Sequence, residues 1–293
     1  MLNGTVWNLL RGGTRERAPR SLGETMRRTQ MRARILNVAS GKGGTGKSVV
    51  AANLAVLRAK TGERVLLVDF DAGMANAHLL LGIQPRFDLG HVLDGEVTAA
   101  AATTSAPGGL SLIAGGVGRA ALMNPTPREL EKLFAALAPL EEQFDLIVVD
   151  HGAGLSYATL AHLAAARALL LVTTHEVTAL SDGYALYKQA VAVNKTIQVG
   201  VVVNRAPDQR TALAAWERFE SASRKFLART PTLVGCVPAD DAMARSVQAR
   251  APVVLRSPES ASAMAIERIS RWPIIEDSRG IGPFYEAARK ALR

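Results

Sequence analysis

The sequence predicts an α/β protein built on a doubly wound, mostly parallel sheet with helices on both faces. From Arg34 onward, short apolar runs rich in Val, Ile and Leu alternate with longer helical stretches, the succession that builds parallel sheets through crossover connections. The runs are continuous rather than alternating in polarity, as strands covered on both faces require. At 293 residues, 48% hydrophobic and 21% charged, the chain is long enough for one large domain with a sizeable core.

Strands are expected at 35–39, 65–69, 110–114, 146–150, 169–173, 199–204 and 233–237, and helices at 47–61, 128–140, 180–194 and 209–228. The longest apolar runs, such as Ala168 to Val172, are of strand length, far short of the roughly 20 residues that span a bilayer. Cys236 is the single cysteine, which excludes an internal disulfide framework and fits a reducing cytoplasm. Pro273, Gly280, Gly282 and Pro283 mark a linker. The expected organisation is therefore a tail at 1–33, a main domain at 34–272, and a linker with a short amphipathic segment at 273–293. Of the net charge of +9, eight arginines against two glutamates in residues 1–34 supply +6. Basicity is thus a property of the tail, read as a disordered, solvated arm, with nucleic acid or anionic lipid as alternative contacts.

The strongest local signal is Gly41-Lys42-Gly43-Gly44-Thr45-Gly46-Lys47-Ser48, a G-x-x-x-x-G-K-[ST] phosphate loop between an apolar strand and a helix. Glycines let consecutive backbone N–H groups turn toward phosphate oxygens, and the helix that follows offers its positive end to the same anion. Lys47 is expected on the β- and γ-phosphates of a nucleotide, and Ser48 on Mg2+. The second strand ends in Asp69-Phe70-Asp71, two carboxylates at the carboxyl edge of the sheet, where open α/β folds bind ligands. Asp71 is the candidate to position or deprotonate attacking water, and Asp69 to support Mg2+ through its waters; the structural alternative for Asp71 is a helix N-cap. The run Phe144 to Asp150 has the Walker B form, giving Asp150 to Mg2+ through water. His151-Gly152-Ala153-Gly154 reads as a turn whose Gly152 N–H meets the γ-phosphate. For His151, a surface-loop histidine is favoured over a titrating group near phosphate.

Lys42 alone could be a solvated side chain. With it, Lys42-Gly43-Gly44-Thr45-Gly46-Lys47-Ser48 resembles the deviant Walker A loop of the MinD/ParA ATPases. That resemblance covers about residues 34–272 and implies an ATP-hydrolysing switch that forms a homodimer with ATP bound, Lys42 reaching the partner's phosphates. It also implies that Asn204 and the Pro238-Ala239-Asp240 loop hold the adenine. The segments Val172 to Tyr184 and Ala249 to Val254 are similar to the flagellar-number regulators of the FlhG group, with His175 where a proline is usual. Within that group the resemblance implies an SRP-type GTPase (FlhF-like) or a flagellar regulator as partner, and a cytoplasmic protein peripheral to the inner membrane. Two departures stand out. The D-Q-A-x-x-L-R element of that group is missing from residues 1–34. The segment 283–293 is a short amphipathic helix, read equally as a weak membrane contact or as a helix docked on its own domain. A ParA-type partitioning ATPase that binds nucleic acid is the rival reading. Iron–sulfur carriers of similar loop are excluded by the lone cysteine.

Overall fold

A computed structural model describes residues 33–71, 75–116, 120–274 and 283–292. The basic tail, residues 72–74 after Asp71, and Gly280 and Gly282 of the expected linker lie outside the described residues.

Eight strands form one sheet. They are β1 (Arg34–Ala39), β2 (Val65–Phe70), β3 (Thr104–Ala106), β4 (Leu110–Ile113), β5 (Leu146–His151), β6 (Ala168–Thr174), β7 (Gln198–Ala206) and β8 (Thr232–Pro238). Their order is β3-β4-β2-β5-β1-β6-β7-β8, and every pairing is parallel except β3 with β4. The doubly wound sheet read from the sequence is therefore present. β3 is the strand that reading missed: three short residues, Thr-Ser-Ala, carry no apolar run to betray it.

The helices are α1 (Lys47–Lys60), α2 (Ala77–Leu80), α3 (Leu89–Asp94), α4 (Ala120–Met123), α5 (Pro127–Leu137), α6 (Tyr157–Ala165), α7 (Val177–Val193), α8 (Gln209–Leu227), α9 (Asp241–Gln248), α10 (Val253–Arg256), α11 (Ala261–Ser270) and α12 (Phe284–Lys290). Alternate strand side chains serve two separate cores. Ile35, Leu66, Val68, Ile147 and Val149 pack with α3, α5, α6, α7, α8 and α12 on one face. Leu36, Val38, Leu67 and Val148 pack with α1, α2, α9, α10 and α11 on the other. Burying each such side chain contributes about 1.5–3 kcal/mol.

The expected helix at 128–140 is α5 followed by a 3-10 turn, Ala138–Glu142. Pro139 lacks the N–H that would continue the helical bonding pattern, which ends the regular helix. At its start, Thr126 caps Glu129 N–H while Glu129 reaches back to Thr126, a capping box.

Of the two readings of the last segment, the structure holds the docked helix. Phe284, Tyr285 and Ala288 are buried against α5 and α6, so the apolar side that a membrane contact would need is already covered. The backbone N–H groups of Phe284 and Tyr285 each donate to the buried Glu141 carboxylate at 2.9 Å. That carboxylate satisfies two of the donors a helix start leaves open. Residues Arg32–Arg293 group as one compact unit. Among the described residues no helix is long and apolar enough to cross a membrane.

Candidate active site

The site forms where β1, β2 and β5 lie side by side, at their carboxyl ends. Residues 40–46 leave β1 and wrap to the start of α1, and Gly46 caps that helix with φ 81° and ψ 19°. This is left-handed backbone, which glycine adopts without strain. A Cβ there would also stand 2.3 Å from Asn204 Nδ2. Gly41 packs directly on the backbone of Asp182 and Gly183 in α7, leaving no room for a side chain. At Gly43 and Gly44, by contrast, nothing approaches; there the loop faces a cleft of about 430 Å3. That cleft is lined by the loop, Ser48, Asp71, Leu79, Leu80, Val247 and Arg250 among others.

Four expected side chains converge at the loop. Lys47, 5% exposed, donates to Asp150 Oδ1 at 2.8 Å and to Ser48 Oγ at 3.0 Å, and lies 3.8 Å from Asp71 Oδ2. The register pairs Asp69 of β2 with Asp150 of β5, which puts two fully buried carboxylates on adjacent strand ends. Burial, followed by the charge of Asp150, raises the pKa of Asp69. Burial raises that of Asp150 too, against the opposing pull of Lys47.

The polar lining of the cleft fits Mg2+ and a polyphosphate. Asp150 Oδ2 and Thr45 Oγ1 are buried without a hydrogen-bond partner among the described residues, an arrangement that costs free energy unless another group completes it. A divalent cation beside the paired carboxylates would relieve their repulsion, and the oxygen-only donor set of Ser48 and Asp150 suits Mg2+. Asp71 stands at the mouth, 19% exposed, with Gly152 facing its carboxylate: a Cβ on Gly152 would lie 3.5 Å from Asp71 Oδ1. Gly154, also at positive φ, donates its N–H to Ser40 O at 2.9 Å, tying this turn to the phosphate loop.

Other expected residues sit differently. Lys42 turns out of its own cleft: Nζ donates to Thr178 Oγ1 at 2.8 Å and lies 3.7 Å from Glu176 Oε2, with its side chain 42% exposed. Asp69 spends one oxygen on Asp71 N–H and the other on Ala77 N–H, at 3.0 and 3.1 Å, and so anchors the start of α2. Asn204 donates to Thr45 O at 2.7 Å from behind the loop. Asp240 caps α9 through Ala242 N–H and ties α11 through Ser262, and Pro238 closes β8 beside Ala206.

The surface-loop reading of His151 is wrong. It is the last residue of β5, 1% exposed, with Nε2 2.9 Å from Asn37 Oδ1 and its ring on His162. The strand runs one residue past the acid, so the side chain that follows Asp150 points into a core. Burial holds its pKa well below the ordinary value.

Sequence reasoning missed Arg205, which donates to Gly44 O at 3.1 Å, and the wall formed by Val247 and Arg250. Arg250 lies in the segment Ala249 to Val254 that resembles the FlhG group, but nothing local gives it or Val247 a place at the cleft, where the end of α9 brings them.

Residues 36–253 match the family model described as the CobQ/CobB/MinD/ParA nucleotide binding domain. The chain is 29% identical to the antiactivator FleN of Pseudomonas aeruginosa, across 86% of this chain and 91% of FleN. It is 28% identical to the flagellum site-determining protein YlxH of Helicobacter pylori, across 81% and 80%. In structure it resembles the septum site-determining protein MinD of Pyrococcus horikoshii, solved with Mg-ADP, at a TM-score of 0.67 and 26% identity over 81% of this chain and 94% of that one.

Proposed function

Because the chain belongs to the CobQ/CobB/MinD/ParA nucleotide-binding family, we propose that it is a slow ATPase whose ATP-bound form is a homodimer, acting as a MinD-like regulator of flagellar number and placement. The observation that carries this reading is the division of the two loop lysines. Lys47 is drawn inward onto Asp150 and Asp71, whereas Lys42 leaves the cleft and stands exposed on the outer surface. A cation on the rim of a phosphate loop, held by the exposed Thr178 and Glu176, can exchange them for a nucleotide held by a second copy, and charge supplied in trans to a transferring phosphoryl group is worth several orders of magnitude in rate.

In this reading Lys47 and the loop N–H groups hold the phosphates, and Ser48 and Asp150 hold Mg2+, which neutralises phosphate charge. Binding of ATP replaces Asp150 as the partner of Lys47. Asp71, at the mouth and turned toward Gly152, orients water. The flagellar role rests on the likeness to FleN and to YlxH, the latter a flagellum site-determining protein by name. An SRP-type GTPase is the partner class that goes with it.

Size-exclusion chromatography with light scattering tests the switch. Asp71→Ala with ATP and Mg2+ should elute as a dimer, and with ADP as a monomer. An Asp71→Ala protein that hydrolyses ATP at the wild-type rate, or a Lys42→Ala protein that dimerises and turns over normally, removes the reading.

A further inference from the structure

The far wall of the phosphate cleft is made by the end of α9, and its charged residue is Arg250. Three observations single this residue out. Its backbone is left-handed, with φ 52°, one of three non-glycine residues at positive φ among those described. Its carbonyl is wedged against Gly82, where an added Cβ would come within 2.5 Å of Arg250 O. And its exposed guanidinium has no carboxylate or other side-chain partner among the described residues.

The backbone conformation follows from the helix end. Arg250 N–H returns to Val247 O at 3.1 Å and Ala251 N–H to Ser246 O at 3.1 Å, the paired bonds of a Schellman cap, whose left-handed position is normally glycine. A long β-carbon-bearing side chain is the unfavoured choice there, and strained backbone of this kind gathers at functional sites. Gly82, with φ 66°, ends the turn after α2. The two helix ends therefore pack closely and hold the Arg250 backbone at a cleft that Leu79, Leu80, Ser48 and Val49 also line.

We propose that Arg250 is a nucleotide-positioning residue, its guanidinium pairing with the phosphate chain from a part of the cleft lining outside the phosphate loop. The inference rests on the ATPase reading above and deepens it. It adds a cation to the site from an element that the phosphate-loop motif does not include. Guanidinium suits the task because it stays charged and can donate two parallel bonds to a phosphate.

Arg250→Gly separates this role from a structural one, because glycine takes the left-handed conformation freely. ATP–Mg2+ and ADP affinities would be measured by calorimetry on the full chain, together with the melting temperature. The expected result is a melting temperature at or above wild type with affinity about tenfold weaker, the effect of one charge-assisted hydrogen bond. Unchanged affinity, or a fall in affinity accompanied by a lower melting temperature, overturns the assignment. Wild-type protein that binds no ATP sinks the ATPase reading instead, so the two failures are distinguishable.

Discussion

Lys47 and Asp150 form a buried ion pair, Nζ to Oδ1 at 2.8 Å, with both side chains at 6% exposure or less. In the folded chain each is the other's main compensation for leaving water, and any ligand that takes the lysine must also satisfy the acid.

Lys47→Met should therefore lose nucleotide binding and also destabilise the free protein. Removing one partner of a buried pair costs about 3–5 kcal/mol; the low end is expected, because Asp150 already sits in surroundings that favour its protonated form. Chemical denaturation of Lys47→Met and of Lys47→Met with Asp150→Asn checks this. The double variant should regain part of the loss, and a single variant as stable as wild type contradicts the pairing.

Gly46→Ala should abolish ATP binding by displacing the loop. The added methyl meets Asn204 Nδ2 and is forced onto φ 81°, conditions that together cost about 1–3 kcal/mol. Adding Asn204→Ala removes the collision but not the backbone strain, so calorimetry should show partial recovery at most.

Acid should weaken the fold through His162. Its ring is fully buried among Phe70, Phe134, Phe284 and His151, and burial lowers its pKa from 6.5 to about 4. The unfolded chain binds this proton more readily, so the stability is fully present above pH 6.5 and is lost as pH falls toward 4. The full loss is about 3 kcal/mol. In urea titrations across that range, His162→Leu should flatten the dependence; a slope as steep as wild type would assign the acid sensitivity elsewhere.

Glu141→Ala should free α12. Two buried N–H groups lose their acceptor, at about 1–3 kcal/mol each at most. Hydrogen exchange at Phe284 and Tyr285 should accelerate while β1 and β5 stay protected. Uniform acceleration would mean that the whole domain had loosened.

The phosphate loop, the Walker B acid and seven strands were legible because each is a local pattern: glycine spacing, a lysine–serine pair, an apolar run closed by a carboxylate. Lys47, Ser48, Asp71 and Asp150 accordingly meet at one sheet edge. What depended on distant chain did not show. Nothing near His151 announces that Asn37 and His162 will enclose it. The acidic Glu141 looks like solvent-exposed sequence until the N–H groups of α12, more than a hundred residues later, arrive to use it. Arg250, though inside a family-like segment, shows no place at the cleft until the end of α9 folds beside the loop.

The seating of α12 also has a bearing on biogenesis. Phe134 and His162 are synthesised long before the aromatic pair, Phe284 and Tyr285, that covers them. A nascent chain that has completed every strand still displays a greasy hollow beside α6, and Glu141 remains a buried-to-be charge without its donors. During that interval, stalled translation would yield a polypeptide with its phosphate loop complete in sequence but its flank open.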